Sequence, residues 1–168
     1  MKNEGYLLAQ DSLRGTAGTA FMEVDGENVL LFGLKKFESD AEIETGEFKV
    51  CGALVTQNKP KEVKYSGTAT VYYGTPAFLK ILTEYKKTGR FPTIKFQITN
   101  DDPSSSMGAQ TIGVYNVLLT KIPIIRLDDS AESLQEDISF TFNDFEVLTW
   151  FNDQPSQLGK SQEHRKHG

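Results

Sequence analysis

The sequence predicts a mainly β fold, a β-sandwich or barrel carrying one flanking α-helix. Three observations lead there. Only one stretch has the apolar spacing and end signals of a helix. Most other ordered-looking runs alternate apolar and polar residues with the period of a strand. An Asp25-Gly26 pair between two such runs supplies the residues of a tight hairpin turn.

The chain has 168 residues, among them 11 Phe and 6 Tyr concentrated in the strand-like runs. That length suits one domain, able to bury roughly 70% of its unfolded surface. Residues 1–13 show no period and read as an N-terminal arm; 14–151 read as the domain and 152–168 as a polar tail expected to be disordered. Thr19–Val24 reads as a strand, with Val29–Leu34 returning antiparallel and running on as KKFESDAEIE. Thr45–Glu62, punctuated by Gly46, Gly52, Asn58 and Pro60, reads as a long loop holding Phe48, Val50, Leu54 and Val55. A loop of that length in a small domain is commonly functional. Thr68, Thr70 and Tyr72 then alternate with Ala69, Val71 and Tyr73 before the helix.

Thr75 is placed to cap the helix, Pro76 suits its first position and Gly89 follows its end. Phe78, Ile81, Leu82 and Tyr85 form its apolar face, leaving Lys80, Glu84 and Lys87 outward. Strands follow at Phe91–Thr99, Thr111–Leu119 and Leu134–Val147, with a polar loop at Asn100–Gln110 and a bend at Ile122-Pro123-Ile124-Ile125. Trp150-Phe151 reads equally as a docking anchor or a cap on the core.

Composition narrows the function. The formal net charge of -5 argues against a nucleic-acid binder, which needs a basic face to release counterions. No apolar run approaches the ~20 residues of a membrane span, and the start lacks a signal-peptide core. With one cysteine, a soluble chain made in a reducing cytosol is the expectation. Catalysis finds no anchor: His164 and His167 lie in the tail, and Cys51 has no neighbouring histidine. Arg14–Ala20 matches neither phosphate-binding fingerprint. The Asn100-Asp101-Asp102 run lacks the ligand spacing of a calcium loop, so no metal and no cofactor are expected.

The most informative chemistry is a ladder of acids. Glu38, Asp40, Glu42 and Glu44 share one face of a strand, with Phe37, Ala41 and Ile43 on the other and Ser39 between them. Alternate side chains stand ~6.6 Å apart, where repulsion is only about 0.6 kcal/mol per pair in bulk water. Such a ladder is tolerable on a wet surface and costly in a dry contact. It reads either as the solvated face of a half-buried strand or as the lining of a water-filled channel.

Several segments together resemble the tail tube proteins of PBSX-type prophages and related contractile tails and tailocins. They are the hairpin Val24-Asp25-Gly26-Glu27, the strand Gly67-Thr68-Ala69-Thr70-Val71-Tyr72, the helix end Tyr85-Lys86-Lys87-Thr88-Gly89, and Phe140-Thr141-Phe142-Asn143-Asp144-Phe145. Their order and spacing match over about residues 14–148. The resemblance implies two packed antiparallel β-sheets with a flanking helix, and a structural protein without an active site. It also implies hexameric rings stacked into a hollow tube in the virion tail, made in the bacterial host cytoplasm. The implied partners are further copies of the chain, a sheath, a tape-measure protein, baseplate and tail-terminator proteins. The tube would be a conduit for DNA, which passes without specific binding, or in a tailocin would breach the target membrane; no stable membrane association is expected. On that reading Glu38, Asp40, Glu42 and Glu44 line the lumen, while Phe48, Val50, Leu54 and Val55 make contacts between rings. The alternative is a monomeric β-sandwich binding or adhesion module using Tyr72, Tyr73 and Trp150 as ligand platforms.

Overall fold

The computed structural model describes residues 18–30, 34–52, 54–72, 76–130 and 134–152. The expected arm (1–13), nearly all of the expected tail, Tyr73, Thr75 and both histidines lie outside them. The described chain forms eight strands and one helix: β1 Gly18–Val24, β2 Glu27–Leu30, β3 Leu34–Phe48, β4 Gln57–Tyr72, α1 Ala77–Thr88, β5 Ile94–Asp101, β6 Ala109–Lys121, β7 Gln135–Phe142 and β8 Asp144–Thr149. All pairings are antiparallel. β2-β1-β5-β6-β8 make one sheet and β3-β4-β7-β6 the other, with β6 belonging to both.

The strand that changes sheets bends for an identifiable reason. Asn116 has φ 54°, a left-handed conformation that Asn tolerates, at a register shift between β5 and β6. Before it β6 pairs with β8, and after it with β7. The expected single strand Leu134–Val147 is accordingly two, β7 and β8, parted at Asn143 as the chain follows β6 around the bend.

Two further expectations change. The return strand after the Asp25-Gly26 turn does not continue into the acidic run. β2 pairs with β1 through Leu30, whereas β3 pairs with β4 in the other sheet. Packing decides this: Phe37 of β3 packs edge-on against Phe96 and at a tilt against Phe140, at centroid distances of 5.5 and 5.4 Å. The expected loop Thr45–Glu62 is largely strand, because Thr45–Phe48 pair with Pro60–Gln57 in a hairpin whose last pair is Phe48 with Gln57. Pro60 is tolerated because β7 reaches only Tyr65, so β4 has a free edge there, and Pro60 adjoins a register shift.

The core gathers where the sheets overlap: Met22, Val71, Ile94, Phe96, Val114, Ile138 and Phe140, roofed at one end by Phe78 and Ile81 of α1. Leu82 is half-buried, and Tyr85 packs edge-on against Phe91 at 5.6 Å. Lys80, Glu84 and Lys87 are exposed, as the spacing predicts. The helix stops at Gly89, whose φ of 69° lets its N–H bond to the Tyr85 carbonyl. Gly89→Ala is expected to cost about 1 kcal/mol through the left-handed strain, measurable by urea unfolding.

Candidate functional site

The acidic ladder takes its place from the β3–β4 register. Glu38 faces Thr68, Asp40 faces Ser66, Glu42 faces Lys64 and Glu44 faces Glu62. β7 continues the first two rows, Ser139 beside Thr68 and Thr141 beside Ser66. Residues directly opposite share a face, so the four acids head a wide polar surface of hydroxyls and carboxylates on the side away from the core. Asp137 belongs to it, accepting a hydrogen bond from Thr70 Oγ1 at 2.8 Å. Leu118 of β6 is an apolar member, opposite Thr141.

The ladder is not uniformly bare. Lys36 bridges Glu38 at 3.0 Å, and Lys64 hydrogen-bonds Glu44 while reaching Glu62 at 3.5 Å. Lys64 donates to the Glu44 carboxyl and holds it below the usual carboxylate range, with Glu62 adding to the effect; Lys64 is raised in return, chiefly by Glu44. These pairs are exposed and contribute little to stability. Among the described residues, Asp40 and Glu42 make no ion pair, so unneutralised charge is greatest mid-ladder. Glu62 and Asp137, with the Ser66, Thr68, Ser139 and Thr141 hydroxyls, join the site only through register. Their alternation was visible in the sequence, but which strands pair was not.

Phe48, Val50, Leu54 and Val55 come together at the far end of the β3–β4 hairpin, with Leu54 at 104% and Val55 at 75% exposure. Below this tip the hairpin runs on past the end of β7, which pairs with β4 only as far as Tyr65. Ile43 and Val63, cross-strand partners on the face opposite the acids, are therefore about half exposed. The hairpin has one charged face and one apolar face; the apolar face packs on the core from Phe37 and Tyr65 toward Val71 and is left half exposed at Ile43 and Val63.

Other candidate chemistry resolves into structure. Asp102 is buried and accepts from Ser104 N and Oγ at 3.0 and 2.7 Å, fixing the turn after β5. No described His, Cys, Asp and Glu residues form a group suited to a metal ion. Cys51 is exposed on the hairpin tip. Of the aromatics of a ligand platform, Tyr72 ends β4 in one sheet, Trp150 follows β8 in the other, and Tyr73 lies outside the described residues.

Glu136 is a second buried carboxyl, at 6% exposure on the core side of β7 opposite Val71. Desolvation pushes its pKa up, and Arg126 partly opposes this. A carboxyl raised in the folded state penalises folding above its folded pKa. That penalty fades as pH falls and is gone below the unfolded value of about 4.3. Glu136→Gln is thus expected to raise Tm at pH 7, with the gain shrinking toward pH 4; thermal melts across that range check it.

Comparisons with known proteins follow the same lines. The family model described as "Phage tail tube protein" matches residues 5–149. The match begins ahead of Arg14, where the resemblance read from the sequence starts. The phage-like element PBSX protein XkdM of Bacillus subtilis (strain 168) is 34% identical over 141 residues, spanning 84% of this chain and 93% of that protein. The uncharacterized protein YqbM of the same strain is 35% identical over 141 residues, with the same coverage of 84% and 93%. Solved structures share the fold at low identity. The tube-terminating cap of the anti-feeding prophage aligns with TM-score 0.64 at 12% identity, covering 88% of this chain and 98% of that one. The sheath–tube complex of the PVC extracellular contractile injection system gives 0.59 at 11%, covering 84% and 94%. The SPP1 tail tube gives 0.55 at 15%, covering 89% and 84%.

Proposed function

The chain belongs to the phage tail tube protein family, and from that premise we propose that it forms hexameric rings stacked into a hollow conduit, its acidic four-stranded face turned to the lumen. It is a structural protein and not an enzyme. The observation that carries the lumen assignment is the composition of that face. From Lys36 to Glu44 and across β4 and β7 it presents carboxylates and hydroxyls, with Lys36 and Lys64 each engaged by neighbouring acids. A wall of lysines would capture phosphates by counterion release and stall a passing duplex, whereas this wall repels it. The opposite face is apolar and asks for cover.

Ring closure is supported by open lateral edges. Among the described residues, β3 has a partner on one side only, and so does β6 beyond Val117. Joining such edges between six copies removes unpaired strands. The helix, with Lys80, Glu84 and Lys87 outward, then faces the sheath. Structural neighbours taken from a sheath–tube complex, a baseplate and a tube cap favour sheath, baseplate and terminator partners for this subunit. A tape-measure protein would occupy the lumen during assembly, and the tube would be part of the virion tail.

Negative-stain microscopy of the purified chain tests assembly: rings or tubes are expected, and a monomer at high concentration overturns the reading. To test the orientation, Asp40→Cys in a Cys51→Ser background is labelled with a gold cluster. End-on views should show the label inside the bore; label on the outer wall sinks the lumen assignment. At the hairpin tip, amide exchange over 49–56 is expected to slow by roughly tenfold or more on assembly. Equal rates in free subunit and tube would remove the tip from the ring contact.

A further inference from the structure

We propose that the hairpin tip of one copy docks on residues 122–128 of a second copy stacked against it. This deepens the tube reading above and rests on it, by naming the surface that receives the tip. The two surfaces lie at opposite ends of one sheet. The tip is reached through β3 and β4, which part at the Phe48–Gln57 pair. Residues 122–128 leave β6 after Lys121 and pass beside Leu134, Gln135 and Asp137, at the level where Gln135 pairs with Tyr72. The run from Gln57 to Tyr72 on β4 separates them, about 50 Å of strand.

Both surfaces are apolar and unpartnered. The tip offers Phe48, Leu54 and Val55. The other end offers Ile124, Ile125 and Leu127 at 67%, 71% and 89% exposure; Ile125 and Leu127, with Pro123 and Leu134, line the apolar side of a cavity of about 580 Å³ whose other side is Arg126, Asp128, Gln135 and Asp137. Exposed apolar groups clustered at two places on one small chain mark contact surfaces.

Their charged surroundings are of opposite sign. Lys49, Lys59 and Lys61 flank the tip, with Glu47 and Glu62 as exceptions; Asp128, Asp129 and Asp137 flank the receiving end, with Arg126 and Lys121 as exceptions. Ser130 donates two hydrogen bonds to Asp128 and lowers its pKa. Different patches meeting head to tail make a heterologous contact, which repeats without closing on itself. Because the patches lie at the two ends of the same strands, each repeat advances along the strand direction. The acidic face then stays on one side from copy to copy.

Cross-linking tests the pairing directly. Leu54→Cys and Leu127→Cys are made separately in Cys51→Ser chains, dissociated, mixed and reassembled under mild oxidant. A covalent dimer is expected in the mixture and not with either variant alone. Dimers in the single-variant samples, or none in the mixture, overturn the pairing. In parallel, Leu127→Asp is expected to leave the circular dichroism spectrum and the rings intact while shortening tubes by at least about tenfold. Lys59→Glu with Lys61→Glu should shorten them too, and Asp129→Lys should restore part of the length. Tubes of normal length from Leu127→Asp overturn this docking and leave the tube reading standing. A wild-type chain that yields neither rings nor tubes overturns the tube reading, and the docking with it.

Discussion

Truncating Phe140 to alanine is expected to remove about 3–5 kcal/mol of folding stability, much of what a domain of this size possesses. Phe140 is 1% exposed and sits where the sheets meet. Its ring centroid lies 5.2 Å from that of Phe96, 5.4 Å from Phe37 and 6.1 Å from Phe142, joining β3, β5 and β7 in one cluster. Alanine would leave a cavity bounded by rings from three strands, which cannot all collapse inward without breaking strand pairing. Urea unfolding should show the midpoint falling steeply; a loss under about 1 kcal/mol would mean the cluster repacks. Assembly should fail with the fold, since β3, which carries the acids, is held to the body partly by Phe37 on Phe140.

The second large effect is expected at Gly67. This residue lies mid-β4, between Ser39 of β3 and Phe140 of β7. A Cβ there would stand 2.6 Å from the Glu38 carbonyl oxygen and 2.7 Å from Phe140 Cε2, both closer than side chains pack. The Phe140 ring lies over the glycine and fills the place a side chain would take. Gly67→Ala is expected to cost about 2 kcal/mol and Gly67→Val more, by overpacking. Because the Glu38 carbonyl is backbone, relief requires β3 to move, and the ladder moves with it. Combining Gly67→Ala with Phe140→Leu should cost less than the sum of the two, the coupling expected of residues in contact. Strict additivity in a denaturation cycle would disprove the ring-over-glycine account.

Much of the site is legible in the sequence alone. Period-2 alternation put Glu38, Asp40, Glu42 and Glu44 on one face, and helical spacing found Phe78 and Ile81, both now buried. Turn chemistry found the Asp25-Gly26 hairpin, where both residues take positive φ of 47° and 86°. The extent of β3 and β4 was not legible, because Gly46, Asn58 and Pro60 are loop-forming in a local reading. They are accepted here because that part of the hairpin has free edges and a register shift. Lys64 was missed as a partner of Glu44 for a related reason: they are 20 residues apart in the chain, and only pairing brings them together.

Local chemistry by itself determined the fold class, the polarity of the acidic strand's faces and the Gly89 end of the helix, since these depend on neighbours within a few residues; the helix begins at Ala77, with Pro76 before its first position. Only the tertiary structure decided which strands pair and where β6 bends between sheets. It also decided that the hydroxyls of β4 and β7 extend the acidic row. Those outcomes depend on contacts between distant segments, where packing of Phe37, Phe96 and Phe140 outweighs the weak preferences of any single stretch.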